Sequence, residues 1–250
     1  MPAPQFNPLE PIHRLYADLA NTFPLDTNTG LGGKLLYAGA IDPETRNLLF
    51  AANIAGAASL AASADAATLR LAMRDGVIDF FVNSLEEALR ILKNEIRKRQ
   101  TVSVGVAFEP NKLTEQMLNR GVLPDLLPAN GRLTPPHFQE FLSQVAQQIV
   151  SASFPPDRRF VTWKVDRDFA RQLPRLDEIA KAALPPEDHL RHRWLKLAPR
   201  YLGRLAQHER GVAMTEQELV KFRSLVGELQ AQSGSEGAAT PQVSIEKIEL

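Results

Sequence analysis

The polar residues best placed for ligand chemistry follow the ends of predicted strands. The first predicted strand, residues 35–38, is followed by a glycine and then by a predicted helix start. Because the carboxyl ends of parallel strands meet at one edge of a sheet, side chains that follow successive strands come together there. The candidate ligand-pocket positions at this edge are Gly39, Asp42, Thr45, Arg46, Ser63, Asp65 and Asn83. They form no recognisable catalytic set, so we predict a binding edge and assign no catalytic residue.

The segment between the first strand and the first helix opposes a dinucleotide. Dinucleotide-binding folds place glycines there, so that the backbone approaches the pyrophosphate and the helix dipole holds its charge. This chain instead carries Asp42, Pro43 and Glu44, which bring two carboxylates and remove one N–H donor. Arg46 could offset some of that charge, but it cannot restore the close approach of the backbone. We therefore expect weak or no binding of NAD+, and no cofactor.

Two further segments carry features of a phosphate or ribose site. A dinucleotide site places an acid after the second strand to bind the ribose hydroxyls. Ser63 stands at that position and Asp65 lies two residues on, where capping of the next helix is the favoured role. The glycine-rich segment 30–33 precedes the first strand instead of following it, so a simple turn is favoured over a phosphate loop.

A metal site is not predicted. His189 and His192 share one face of a predicted helix, next to Glu187 and Asp188, but no third ligand is indicated. A solvated or interface face is therefore favoured. The chain has no cysteine, which excludes disulfides, thiolate metal sites and a cysteine nucleophile.

The elements that position these residues alternate between strand and helix. The predicted strands are 35–38, 58–62, 77–82, 101–107, and the predicted helix caps are Asp42, Asp65, Ser84, Asn111. Strict alternation with short connections predicts an α/β fold, a Rossmann-like parallel sheet with helices on both faces. The third strand has almost no polar face and is predicted to be buried on both sides.

Alternation stops after residue 125. We predict one amphipathic helix over 135–151, a further strand over 159–165, and helices near 168–183, 186–208 and 215–231. The predicted domains are an N-terminal arm (1–30, with a short helix near 11–21), the α/β domain (31–165), a helical C-terminal region (166–232), and a linker and tail (233–250). The alternating tail 243–250 suits either a paired strand or a mobile end.

Four segments in fixed order carry a family resemblance. They are 33–39 (GKLLYAG), 55–60 (AGAASL), 84–89 (SLEEAL) and 120–125 (RGVLPD). Their order and spacing resemble the central, dinucleotide-binding part of urocanase (urocanate hydratase), and segments 163–177 and 186–198 are similar to a helical segment of that family. The resemblance implies a Rossmann-like domain, NAD+ as an electrophile in the hydration of urocanate, and a homodimer. The family's glycine run, ribose acid and catalytic-cysteine region have no counterpart here.

Two main hypotheses for function follow. The leading one is a degenerate urocanase-like protein without hydratase activity, which binds a small ligand or a protein partner. The alternative is an NAD-dependent lyase of the urocanase kind with a reworked or partner-completed site. A purely structural subunit also stays open.

Charge and helix patterning indicate the surroundings and the assembly. Basic and acidic residues balance at 29 each, so we expect neither nucleic acid nor membrane as a partner, and a cytoplasmic location. A stripe on the predicted helix 186–208, formed by Leu190, Trp194, Leu197, Tyr201 and Leu205, suits packing within the chain or a homodimer.

Overall fold

Contacts divide the chain into two compact units. In the computed structural model, the described residues are 7–128, 135–144, 146–151, 155–235 and 243–248. The parallel-sheet unit is Arg14–Ala152, and the antiparallel-sheet unit joins Met1–His13 to Ser153–Leu250. The division falls within the first helix, α1 (Leu9–Thr22). This helix confirms the short helix predicted for the N-terminal arm. No described helix is long and apolar enough to cross a membrane.

The parallel-sheet unit is built on six strands. They are β1 (Leu35–Ala40), β2 (Ala58–Ala62), β3 (Phe80–Val82), β4 (Val102–Val106), β5 (Leu126–Leu127) and β6 (Gln147–Gln148). They lie in the order β3-β4-β2-β1-β5-β6, and every neighbouring pair is parallel. The predicted parallel α/β sheet is confirmed.

Helices cover both faces of this sheet. They are α2 (Pro43–Ala55), α3 (Ala66–Arg74), α4 (Leu85–Arg97), α5 (Pro110–Asn119) and α6 (Pro135–Gln144). Buried residues of α4, α5 and α6 pack with Tyr37, Leu60 and Val104 on one face. On the other face, a Cβ added to Gly105 would lie 2.7 Å from a methyl carbon of Leu69 in α3. The glycine therefore permits the close approach of that helix.

Four local expectations are wrong. The third strand is only three residues long, lies at the edge of the sheet, and exposes 49% of Phe80, so it is not buried on both sides. Glu109, not Asn111, caps α5, because Pro110 already occupies its first turn. The helix predicted over 135–151 ends at Gln144, and β6 follows. The first strand continues through Gly39, whose positive φ of 75° accompanies a shift in its register with β2.

The antiparallel-sheet unit combines helices with a second sheet. Its strands are β7 (Arg158–Val165), β8 (Glu209–Thr215) and β9 (Val243–Ile248), in the order β8-β7-β9. Its helices are α7 (Leu173–Ala183), α8 (His189–Leu202) and α9 (Glu216–Ser235), with short 3-10 turns at Arg167–Gln172 and Gly203–Ala206.

The second sheet corrects part of the predicted organisation. Helices form most of the C-terminal region as predicted, but β8 was not predicted there. The strand predicted over 159–165 was grouped with the first domain, and it pairs antiparallel with β8 and β9 instead. The tail forms β9. The predicted linker overlaps the end of α9, and residues 236–242 and 249–250 lie outside the described residues.

Candidate functional site

The carboxyl edge of the parallel sheet gathers the predicted site residues. Strand pairing aligns the ends of β1 with β2, of β2 with β4, and of β3 with β4. The residues that follow these ends, from Asp42 to Asn83, therefore share one edge, together with the first turns of α2, α3 and α4. Their role in ligand binding stays a prediction.

Asp42 closes the start of α2. Its backbone is extended (φ −120°, ψ 177°), and its Oδ1 accepts a hydrogen bond of 2.7 Å from the Thr45 amide. Pro43 follows at the start of the helix, where its fixed φ suits helix initiation and where it supplies no N–H. The carboxylate thus accepts a hydrogen bond from one of the amides that a bound anion would use at an open helix N-terminus.

The next two candidates, Thr45 and Arg46 in α2, make contacts within the protein. The Thr45 side chain is fully buried. Nη2 of Arg46 lies 2.6 Å from Oδ2 of Asp75, the C-terminal cap of α3. This ion pair compensates the guanidinium charge, so Arg46 is not a free cation for a phosphate.

Asp65 is a helix cap, as favoured from the sequence. Its carboxylate accepts hydrogen bonds from the amides of Ala67 (2.9 Å) and Thr68 (3.1 Å) and from the Thr68 hydroxyl (2.7 Å). The Thr68 hydroxyl, followed by those two amides, lowers the pKa of Asp65. The hydroxyl of Ser63 accepts from the Asp65 amide at 3.2 Å. Among the described residues, the hydrogen-bond partners of both side chains lie within residues 63–68.

The last two helices at this edge are capped in the same way. Ser84 Oγ accepts from the Glu87 amide at 3.3 Å, and Glu87 Oε2 accepts from the Asn83 amide at 3.0 Å. Glu109 Oε2 accepts from the Lys112 amide at 2.7 Å. The sequence analysis missed Glu109, although an acid directly before a proline is a recognisable helix start. All four helices at this edge thus begin with a cap from their own chain.

Comparison with known families identifies this unit. Residues 16–135 match the model of the urocanase Rossmann-like domain. The segment belongs to the urocanase family. The match begins within α1 and ends at the first residue of α6, so it covers the sheet from β1 to β5, and the resemblance inferred for this region is confirmed. Segments 163–177 and 186–198 lie outside the match, and their similarity to urocanase stays an inference.

In the urocanase-type sheet, the direction in which the chain adds strands changes at β1. The chain moves outward from β1 to β2 and beyond, and later crosses to β5 on the other side of β1. Ligands of open α/β sheets bind outside the carboxyl ends at such a point. Here the turn from Gly39 to Asp42 forms the β1 side of that point, and its role in ligand binding stays a prediction.

The residues at this point do not fit NAD+, the cofactor that the urocanase resemblance implies. A dinucleotide needs open amides and close backbone approach at the helix start. Asp42 takes the Thr45 amide, Glu44 adds a second carboxylate in the first turn, and Arg46 is paired with Asp75. At the ribose position, the Asp65 carboxylate caps its own helix, α3.

One histidine of the predicted pair on α8 makes a contact within its own unit. His192 Nε2 lies 2.9 Å from the Pro185 carbonyl oxygen, and Asp188 caps the helix and pairs with Arg191. Among the described residues, no group of three or more His, Cys, Asp or Glu side chains could hold a metal ion.

Proposed function

We propose that this chain is a urocanase-family protein without hydratase activity, which acts by binding. The observation that carries the proposal is the Asp42 carboxylate bonded at 2.7 Å to the Thr45 amide. In the urocanase reaction, NAD+ acts as an electrophile on the imidazole ring, so a chain that cannot hold the pyrophosphate cannot supply that step. The absence of cysteine supports the same conclusion.

The edge is suited to a ligand that donates hydrogen bonds. Its four caps include three carboxyl groups, those of Asp42, Asp65 and Glu109, and Glu44 adds another in the first turn of α2. Carboxylates accept hydrogen bonds and repel anions. A small polar or cationic ligand therefore fits this edge better than a phosphate ester does. The cytoplasmic location expected from the sequence is part of this proposal.

Titration of the purified chain with NAD+ tests the cofactor step. We expect no binding at micromolar concentrations, and micromolar or tighter affinity would overturn the proposal. Two substitutions separate the effect of the Asp42 charge from the effect of the hydrogen bond to the Thr45 amide. Asp42→Asn keeps a capping oxygen but removes the charge, whereas Asp42→Gly removes both. If the occupied amide is the barrier, Asp42→Gly increases affinity for NAD+ and Asp42→Asn does not. Glu109→Gly is the matched control, because it opens a different helix start at the same edge.

A urocanate assay tests the reaction itself. We expect urocanate absorbance to stay constant at any concentration of the chain. Consumption that is proportional to the chain, and that a single substitution in it abolishes, would favour the alternative of an active lyase. Native mass spectrometry of the purified protein gives an independent readout, because a co-purified dinucleotide would add its mass.

A further inference from the structure

The apolar stripe predicted on α8 is mainly a core contact. Trp194, at its centre, is 1% exposed, and its Nε1 donates a hydrogen bond of 2.7 Å to the Gly211 carbonyl oxygen. A more exposed surface lies on the parallel-sheet unit, where α4 borders the outermost strand, β3.

Three exposed cations form a row along α4. Arg90, Lys93 and Arg97 follow one another at intervals of three and four residues, so they lie on one side of the helix. All three side chains are exposed to solvent. We refer to these three residues as the cation row.

The acids of the same helix do not neutralise the cation row. Glu86 pairs with Arg120, and Glu95 pairs with Lys98. Across the part of the chain that the structure describes, no member of the cation row makes a hydrogen bond or an ion pair within 4 Å. The helix dipole favours cations in the last turn, which accounts for Arg97 but not for the two cations that precede that turn.

An apolar groove of about 820 Å³ borders the cation row. It lies between α4 and the edge of the sheet, and its lining includes Phe80, Arg90, Ile91 and Val102. The Phe80 side chain is 49% exposed. The groove thus offers an aromatic ring and two aliphatic side chains next to a guanidinium, and aromatic and arginine side chains carry much of the binding energy at protein interfaces.

Arg90 differs from the acids of the groove because its charge is not engaged. Asp79 Oδ2 accepts a hydrogen bond of 2.8 Å from the Ser103 amide, and Glu95 Oε1 accepts one of 3.1 Å from Lys98. Among the described residues that line the groove, Arg90 is therefore the charged side chain left for a partner.

The groove lies at the opposite edge of the sheet from the helix caps. Phe80 and Val102 are the first residues of β3 and β4, so they mark the amino ends of these parallel strands. A partner in the groove would not contact the carboxyl edge. This surface is thus independent of what the carboxyl edge binds, and the NAD+ and urocanate tests do not bear on it.

We infer that the groove and the cation row together dock an acidic segment of another protein. Its carboxylates lie on the cation row, and one apolar side chain enters the groove beside Phe80. From Arg90 to Arg97 the row spans about 10 Å along the helix axis, which equals about three residues of an extended segment. Charge attraction brings such a segment to the surface, and the apolar side chain then anchors it.

A protein segment fits this surface better than a nucleic acid does. Basic and acidic residues balance at 29 each over the chain, so no long-range field attracts a polyanion. The positive charge is confined to one helix side, and an apolar groove adjoins it. Such a surface selects a few carboxylates next to an apolar side chain.

Fluorescence anisotropy with the full chain tests the inference. The probe is a short labelled peptide of glutamates around one central leucine, and we expect saturable binding at submillimolar concentrations. A peptide with lysines in place of the glutamates should not bind, and one with serine in place of the leucine should bind more weakly. Raising the salt concentration from about 0.05 to about 0.5 M should weaken binding, because the cations are exposed and become screened. Absence of saturable binding, or equal binding of the lysine peptide, would overturn the inference.

Substitutions locate the binding surface. Arg90→Gln should raise the dissociation constant by at least about fivefold, and Phe80→Ser by a similar factor. Arg70→Gln is the matched control, because it removes an exposed cation from α3 of the same unit and should leave binding unchanged. The melting temperature of each variant is compared with wild type to confirm folding. An equal loss of affinity in Arg70→Gln would refute the site, because binding would then follow total charge.

Two competing occupants are outcomes of the same experiment. A single-stranded oligonucleotide that binds more tightly than the peptide, and that loses affinity in Arg90→Gln, would assign the surface to nucleic acid. Self-association of the chain that Arg90→Gln abolishes would assign it to a second copy. Either result would overturn the inference of an acidic protein partner.

Discussion

Replacement of Arg191 by methionine should destabilise the antiparallel-sheet unit strongly. Arg191 is only 2% exposed, and its Nη1 and Nη2 donate to Glu218 Oε2 (2.6 Å) and Oε1 (2.8 Å). Nε donates to Asp188 Oδ2 (2.7 Å), and Nη1 also donates to the Ala213 carbonyl oxygen (2.9 Å). One side chain therefore connects the starts of α8 and α9 to β8.

The expected cost follows from the charges left behind. Methionine fills a similar volume, but it leaves Glu218 without its hydrogen-bonded cation, and it leaves Asp188 with only Arg158, whose Nη2 lies 3.8 Å from Asp188 Oδ2. Breaking such a buried pair by removing one partner costs about 3–5 kcal/mol. Burial acts to raise the pKa of Glu218, but hydrogen bonds from Arg191 and from the Thr215 amide outweigh it and hold that pKa below its ordinary value. We expect the pKa of Glu218 to rise without Arg191, because burial is the largest single influence on it.

The penalty should therefore depend on pH. In the wild type, the lowered pKa values of Asp188 and Glu218 stabilise the fold above the ordinary carboxyl pKa, and this contribution is lost as pH falls through the folded values. The variant lacks the part of that contribution that comes from the Arg191 side chain at every pH. The difference between wild type and Arg191→Met is thus largest near neutral pH and smaller near about pH 4.

Urea unfolding followed by tryptophan fluorescence measures this effect directly. Both tryptophans, Trp163 and Trp194, belong to the antiparallel-sheet unit, so fluorescence reports on it alone. The control is Lys196→Met, an exposed change on the same helix, which should stay within about 0.5 kcal/mol of wild type. An Arg191→Met variant within about 1 kcal/mol of wild type at neutral pH would refute the reasoning, because the carboxylates would then not need the Arg191 cation.

Two further predictions concern single buried groups. Burial raises the pKa of Asp177 to about 6. The Arg210 guanidinium opposes this rise, with its Nε 3.2 Å from Asp177 Oδ2. The pKa of Asp177 is higher in the folded chain than in the unfolded chain, so its ionisation destabilises the fold as pH rises. The free energy of unfolding should therefore fall by up to about 3 kcal/mol between about pH 4 and pH 6. An Asp177→Asn variant with the same pH profile as wild type would contradict this. The Tyr37 hydroxyl lies 2.9 Å from Thr114 Oγ1 in the core, so Tyr37→Phe should lower the free energy of unfolding by about 1 kcal/mol in urea titrations. Unchanged stability of that variant would argue against the hydrogen bond.

Local signals in the sequence identified most of the parallel-sheet unit. Asp42, Asp65 and Ser84 were predicted as caps, and each accepts a hydrogen bond from an amide in the first turn of its helix. Such bonds join residues two or three positions apart, so the sequence contains both partners. The parallel arrangement of the strands then follows from alternation and short connections, which restrict the topology. The order of the strands was not predicted.

Pairings between distant residues account for the errors that concern the second sheet and the exposure of β3. The sheet formed by β7, β8 and β9 joins segments that lie far apart, and no local pattern indicates which strands pair. The exposure of Phe80 depends on β3 lying at the edge, which strand order decides. In the candidate site, the partner of Arg46 is Asp75, 29 residues away, so its charge compensation could not be predicted from the helix start alone.

The capped edge also has a thermodynamic meaning. A side-chain cap at a helix start contributes about 1 kcal/mol of stability, whereas a start that binds a phosphate leaves its amides open until the ligand arrives. In this chain the helices that follow β1, β2, β3 and β4 all have such caps. The parallel-sheet unit thus gains stability at the positions where a dinucleotide-binding relative would need open amides. Helix starts that are stable without a bound cofactor support the proposal that this domain binds ligands other than a dinucleotide.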